Sequence, residues 1–303
     1  MLCDTVRGCV QNGRFIAPTD AELDSRMNKL SEDYFQSFLG KEAAADKQFM
    51  NTFRLADDTV RRAAKEICVE LSKGSFVPSG FEYRIGLRDP DTNAIRFKCE
   101  KGSVFLTGSI DRVDIYTAPD GRKYARVVDY KTYDKSLDPN RVGEGFDTQM
   151  LHYLFAYCDS NGTIPAAAVY VSVAEAERDI NAKERDPEAP EYPRRGLVLD
   201  NTDIIDAMGS RVFLPIKLTK SGIHKSYEKY VLSEEGFESV RKTVGEYVVD
   251  VGNRILDGKT DIAPCTGAKE SPCKYCIMKP VCRKSSFGGG NGGESDEYAG
   301  DEE

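Results

Sequence analysis

Apolar positions along this chain recur with two periods, and the changes from one to the other mark out its elements. Val60, Ala64, Ile67 and Leu71 fall on one stripe of a helix over about 56–72, stopped by Gly74. Upstream, Thr19 or Asp20 caps a helix reaching about Leu39, with Glu22 in its first turn. Residues 1–17 show no clear period. Downstream, the runs 81–87, 103–116 and 123–133 read as strands, and Pro119-Asp120-Gly121 joins the last two into a hairpin. Residues 145–158 read as a helix burying Met150, Leu151, Leu154 and Phe155, and the apolar run 166–173 reads as an interior strand. Polar 174–195 is a surface excursion, and 196–199 and 212–218 are further short strands. Ser233 caps a long helix carrying Phe237, Val240, Val244, Val248, Val251 and Ile255, which ends at Gly258. Helix, three strands, helix, strand (αβββαβ) predicts an α/β fold with a central mixed sheet flanked by helices. There is no internal repeat.

Composition changes this picture at the C-terminus. From Gly288 the chain holds six acidic residues and no Lys or Arg, in a Gly-rich setting that cannot bury enough apolar surface to fold. The expected organisation is a helical segment 1–53, a core domain 54–284 that includes a Cys-rich segment 265–284, and a disordered acidic tail 285–303. The net charge of −8 carries −6 in the tail and leaves −2 elsewhere, so a polyanionic partner is not excluded. With no run of 18 apolar residues and no basic-then-apolar leader, the expectation is a cytoplasmic protein with no membrane partner.

Candidate chemistry sits on the hairpin, in Gly108-Ser109-Ile110-Asp111 and Val127-Val128-Asp129-Tyr130-Lys131. Strand alternation puts Asp129 and Lys131 on one face, with Tyr130 opposite but its carbonyl available. Normal pairing brings Asp111 within reach of Asp129. Two carboxylates and a carbonyl suit Mg²⁺, and Lys131 then balances charge and positions or helps deprotonate a water. A second feature is Cys273-x2-Cys276-x5-Cys282, a spacing at which thiolates converge on one metal or cluster, with Cys265 close by. No phosphate-binding GxxxxGK[ST] loop and no Gly-x-Ser-x-Gly elbow occurs, so the chain is not expected to hydrolyse ATP by itself.

Glu82 in Gly80-Phe81-Glu82, Asp111 in GSIDRVD, Asp129-Tyr130-Lys131 in VVDYK and Gln149-x3-Tyr153 follow one another in this order. As a set they resemble the PD-(D/E)xK nuclease superfamily, in its RecB-type branch, over roughly residues 54–284. The resemblance implies a restriction-endonuclease-like core and a Mg²⁺-dependent DNA exonuclease. It implies metal carboxylates at Asp111 and Asp129, a catalytic lysine at Lys131, an acidic site neighbour at Glu82, and a helix motif of Gln149 and Tyr153 lining the DNA path. The implied partners are single-stranded DNA ends from unwound duplex and a helicase–nuclease partner protein, in double-strand break resection. The resemblance also favours a [4Fe–4S] cluster at Cys273, Cys276 and Cys282, with zinc the generic alternative. The family's far-upstream cysteine segment is not found, which leaves the fourth ligand open among Cys265, Cys3 and Cys9. The family's His ligand on the first core helix is absent. His152 and His224 lie elsewhere and read as structural, and a chain beginning after that helix is a piece of a longer protein. The competing readings are a catalytically silent binding or scaffold module and a stand-alone RecB-like nuclease.

Overall fold

The structure is a computed structural model that describes residues 1–39, 46–86, 94–173, 190–219, 222–261, 273 and 276–282. It divides into two compact units, Met1–Lys259 and Thr260–Glu303. The acidic tail, Cys265 and the excursion over 174–189 lie outside the described residues.

Three helices open the first unit: α1 (Leu2–Arg7), α2 (Asp20–Tyr34) and α3 (Lys47–Lys73). The Thr19 side chain accepts from the Glu22 N–H while Glu22 reaches back to the Thr19 N–H, a reciprocal cap that fixes where α2 begins. α3 starts earlier than its apolar stripe, because the Asp46 carboxylate caps the N–H groups of Gln48 and Phe49. The short α1 is too brief to show a period; it buries Cys3, Thr5 and Val6.

Six strands form the central sheet: β1 (Val77–Ile85), β2 (Gly108–Thr117), β3 (Lys123–Lys131), β4 (Ile164–Ser172), β5 (Arg194–Leu199) and β6 (Val231–Leu232). Their order across the sheet is β6-β5-β4-β3-β2-β1. β1, β2 and β3 are successively antiparallel, β4 runs parallel to β3, β5 antiparallel to β4, and β6 parallel to β5. Helix α4 (Gln149–Asn161) makes the crossover from β3 to β4. A short α5 (Thr202–Ala207) and a long α6 (Glu234–Leu256, capped by Ser233) follow. This is the expected mixed sheet between helices, with αβββαβ as its core. Val113, Val127, Leu151, Leu154 and Ala166 to Ala168 are fully buried in the main core.

Three expected elements differ. The run 103–116 is two strands: Ser103–Leu106 pairs with Ile95–Lys98 in a separate hairpin, and β2 begins anew at Gly108. The helix expected from Gly145 begins at Gln149, since Gly145 at φ 84° and Asp147 at φ 56° are left-handed. The run 212–218 is no strand. Pro215 has no N–H for a ladder, and the segment forms a 3₁₀ turn at Arg211–Phe213 before Leu214 and Ile216, both buried; only Leu218–Thr219 pairs, with Gly222–Ile223.

Candidate active site

The two faces of the sheet carry different chemistry. On the face of α1 and α3, Arg112, Asp114, Arg126, Glu70 and Arg194 are all at most 6% exposed. Arg126 bridges Asp114 at 2.7 Å and Glu70 at 3.1 Å, Arg112 bonds Asp114 at 2.8 Å, and Arg194 holds Glu70 at 2.7 Å and also pairs with Glu66. Burial alone would raise the Glu70 pKa, but the guanidiniums of Arg194, Arg126 and Arg112 hold it below the ordinary value. The Tyr130 hydroxyl joins this network through Arg112 at 2.5 Å. Tyr130 therefore points away from its neighbours Asp129 and Lys131, as alternation requires.

Asp129 and Lys131 lie on the other face, that of α4. The Lys131 ammonium sits 2.7 Å from Asp129 Oδ2 and 5.8 Å from the Tyr170 ring. Burial works against the lysine's charge, yet the Asp129 carboxylate outweighs it and raises the Lys131 pKa. At neutral pH Lys131 is a cation. That ammonium is the partner of the buried Asp129 Oδ2, which meets no other donor among the described residues.

Asp111 completes the row. The β2–β3 ladder ends at Arg112↔Val128, and beyond it the Tyr130 N–H donates to Asp111 Oδ2 at 2.9 Å. The side chain has taken a backbone donor, which ties the carboxylate to the segment between Asp129 and Lys131. Burial raises the Asp111 pKa, and the charges of Asp129 and Glu82 add to that. On α1, the Cys3 thiol donates to the Asp111 carbonyl at 3.2 Å; its pKa is pushed up to about 12 by burial and by Asp111 and Glu82.

Glu82 stands beside Asp111 by a departure from regular strand geometry. Phe81, paired with Arg112, lies under Arg7 of α1, whereas Tyr83, paired with Ile110, stacks edge-on against Tyr157 of α4. Residues two apart on a strand normally share a face. Here the alternation reverses at Glu82, which has φ 50° and an exposed side chain. A non-glycine residue in that region is held by its surroundings against its own preference, a condition that concentrates at functional sites.

Gln149 and Tyr153 form a pair one turn apart on α4, with the Gln149 amide donating to the Tyr153 hydroxyl at 3.0 Å. The Tyr153 ring occupies the space a Cβ at position 108 would need, so only glycine fits where β2 begins, three residues before Asp111. His152, between them in sequence, is buried against Phe97 and its pKa is lowered to about 4 by burial, so it is a neutral core residue. His224 caps the Lys225–Tyr230 turn through Ser226. Tyr170 was not among the expected site residues, and Cys3 was expected only as a candidate fourth cluster ligand; nothing but the fold places either beside the carboxylates.

A divalent cation finds suitable donors in Asp111 and Asp129, both oxygen ligands, with Asp129 Oδ2 buried and met only by Lys131 among the described residues. Among the described residues no three His, Cys, Asp or Glu side chains are gathered as a ready metal cage. That holds also for Cys273, Cys276 and Cys282 in the second unit. In the first unit Cys3 is engaged with Asp111, and Cys9 donates to the Thr5 carbonyl beside Arg26.

A family model described as the PD-(D/E)XK nuclease superfamily matches residues 14–283. The chain belongs to this superfamily. Members typically use a divalent metal, in keeping with the carboxylate pair just described. Among similar proteins are several named as one subunit of an ATP-dependent helicase/deoxyribonuclease. The one from Alkaliphilus oremlandii is 32% identical over 247 residues, 74% of this chain and 21% of that protein. The one from Geobacillus kaustophilus is 30% identical over 257 residues, 77% and 21%. The one from Clostridium perfringens is 31% identical over 215 residues, 65% and 18%. The chain thus spans about a fifth of the length of these relatives. No helix among the described residues is long and apolar enough to cross a membrane.

Proposed function

We propose that the chain is a Mg²⁺-dependent deoxyribonuclease module that cuts phosphodiester bonds in single strands released by an unwinding partner. The observation that carries this reading is Asp129: a carboxylate 4% exposed, paired with Lys131 at 2.7 Å, with the Asp111 carboxylate close enough for each charge to be felt by the other. Asp111 and Asp129 would hold the cation, with the Tyr130 carbonyl as a third oxygen. A cation bound there supplies Lewis-acid polarisation of a phosphoryl oxygen and an activated water. Lys131, kept protonated, supports negative charge as it builds on the phosphate and orients the water. Glu82 adds a carboxylate at the rim. Gln149 and Tyr153, hydrogen-bonded to each other beside Gly108, offer polar contacts to the strand.

The printed names of the relatives, helicase and deoxyribonuclease together, support a place in a helicase–nuclease complex beside a further polypeptide; resection of double-strand breaks in the cytoplasm is the role we propose for it. For Cys273, Cys276 and Cys282 a [4Fe–4S] cluster is the reading, with zinc second and the fourth ligand among Cys265, Cys3 and Cys9. Absorbance near 400 nm after anaerobic purification, lost on Cys276→Ser, is the expected result; a colourless, zinc-containing protein overturns it.

The activity test incubates labelled single-stranded DNA with the chain and Mg²⁺. Cleavage is expected, abolished by EDTA and reduced at least about 100-fold by Lys131→Ala. Cleavage undiminished by that substitution removes the mechanism. A silent DNA-binding module is favoured by the lack of a third gathered side-chain ligand among the described residues; metal-independent binding with no nicking would decide for it.

A further inference from the structure

The end of the sheet that carries Asp129 and Lys131 continues sideways. Asp129 pairs in register with Tyr170, and Tyr170 with Arg195. These three form one row across β3, β4 and β5, two strand spacings or about 10 Å wide. The Tyr170 ring is flanked by two ammoniums, Lys131 at 5.8 Å and Lys135 at 5.9 Å. Arg195 is half exposed and, among the described residues, forked onto the largely exposed Asp134 at 2.7 and 3.1 Å. An exposed pair is screened by water and salt even when forked, and a phosphate offers the guanidinium the same bidentate geometry, so it can take the place of Asp134.

Past Arg195 the row opens into a cavity of about 350 Å³ lined by Ser136, Arg195, Pro215, Ser226, Tyr227 and Tyr230 among others. No Asp or Glu lines it. Two other cavities of this unit are acidic by contrast, one lined by Asp120, Asp203 and Asp206, the other by Glu234, Glu235 and Glu238. In a chain of net charge −8, a cavity with an arginine and no carboxylate is a local exception. Tyr227 and Tyr230 are half-buried, with ring centroids 6.1 Å apart, and the Lys229 ammonium lies 4.9 Å from the Tyr230 ring.

We propose that this cavity seats an unpaired nucleotide flanking the cut bond, its base stacked on Tyr227 or Tyr230 and its phosphate on Arg195. The proposal rests on the nuclease reading of Asp111, Asp129 and Lys131, which fixes where the cut bond lies. Aromatic faces in a cationic groove are the usual means of holding single strands, because every base offers a flat face once it is out of a duplex. A base still inside a duplex cannot reach the rings. The site therefore selects single-stranded over double-stranded DNA.

The test measures binding of a fluorescent oligothymidine to the 303-residue chain in EDTA, so that no cleavage intervenes. Tyr227→Leu with Tyr230→Leu keeps apolar bulk and removes both rings; affinity is expected to fall about 10- to 100-fold. The matching pair of Phe substitutions keeps the rings and should bind within about two-fold of wild type. Arg195→Ala should lower the slope of log affinity against log salt by roughly 0.7, the contribution of one single-strand phosphate. Oligonucleotides carrying 5-bromodeoxyuridine should photo-crosslink the wild-type chain at Tyr227 or Tyr230. Unchanged affinity in the Leu pair, or crosslinks that map elsewhere, overturns the proposal. Should the Leu pair fail to fold, the crosslink map and Arg195→Ala decide the matter alone. Mg²⁺-dependent cleavage lost in Lys131→Ala, alongside unaltered binding by the groove variants, would leave the nuclease reading standing and remove only this one. A wild-type chain that neither binds nor cuts removes both.

Discussion

At the scale of single residues, Asp129 carries the heaviest demand. A buried carboxylate with a second one, Asp111, beside it is costly unless positive charge completes the pair. Lys131 supplies part of that charge and a divalent cation would supply the rest. Mg²⁺ at ten times its Kd is expected to raise the Tm by about 3–5 °C, reversibly on chelation. Asp129→Asn should erase that shift. Thermal melts with and without Mg²⁺ check it, and an equal shift in the variant would place the cation elsewhere. Asp111, Asp129 and Lys131 were legible in the sequence because charged residues interrupt apolar strands there. Cys3 and Tyr170 were not. A cysteine in an aperiodic start and a tyrosine inside an apolar strand carry no local mark, and only the approach of α1 to β2 and the β3–β4 register bring them to the site.

At the scale of elements, strong periods were read well and breaks in them poorly. α3 and α6 declare themselves by apolar stripes, and α2 by its reciprocal cap. The boundary between Leu106 and Gly108 was invisible, since both sides carry apolar strand formers; the two strands take different partners, and Gly108 lies against the Tyr153 ring, 45 residues later in the sequence. The reversal at Glu82 was equally hidden, because φ is not written in a glutamate. Helix α4 carries a testable pH response. His152 faces Phe97 and a small cavity lined by Ile85, Ile95 and Leu106, and burial lowers its pKa from 6.5 to about 4. Between those values the unfolded chain binds a proton that the folded chain refuses, so stability falls as pH drops from about 6.5 toward 4. The loss from this residue should be about 2 kcal/mol at pH 5. Urea unfolding at pH 7 and pH 5, for wild type and His152→Leu, isolates it by difference; equal losses in both would mean the imidazole titrates freely.

At the scale of the whole first unit, the sheet separates two tasks. One face holds a dense charge network of Arg112, Arg126, Arg194, Asp114, Glu70 and Glu66, three positive and three negative. Such a network is stabilising only while every member has its partner, since a single unmatched buried charge costs about 3–5 kcal/mol. It stiffens β2 and β3 from behind, and through Arg112 and Tyr130 it reaches the residue between Asp129 and Lys131. The other face packs against α4 and carries Asp111, Asp129 and Lys131 where β2 and β3 leave their ladder. The overall αβββαβ order was readable from patterning alone, whereas this division of labour was not. Arg112, Asp114 and Arg126 look in sequence like solvated hairpin charges, and their burial depends on α3 covering them. The irregular outer strand has one more effect. β1 borders the sheet on one side, and its register slips between Pro78 and Gly80 before the chain twists over at Glu82. The opposite border, β6, is only two residues long. Among the described residues neither margin of this sheet offers a long straight row of free amides and carbonyls, so a neighbouring copy finds a poor template for adding a strand at either edge.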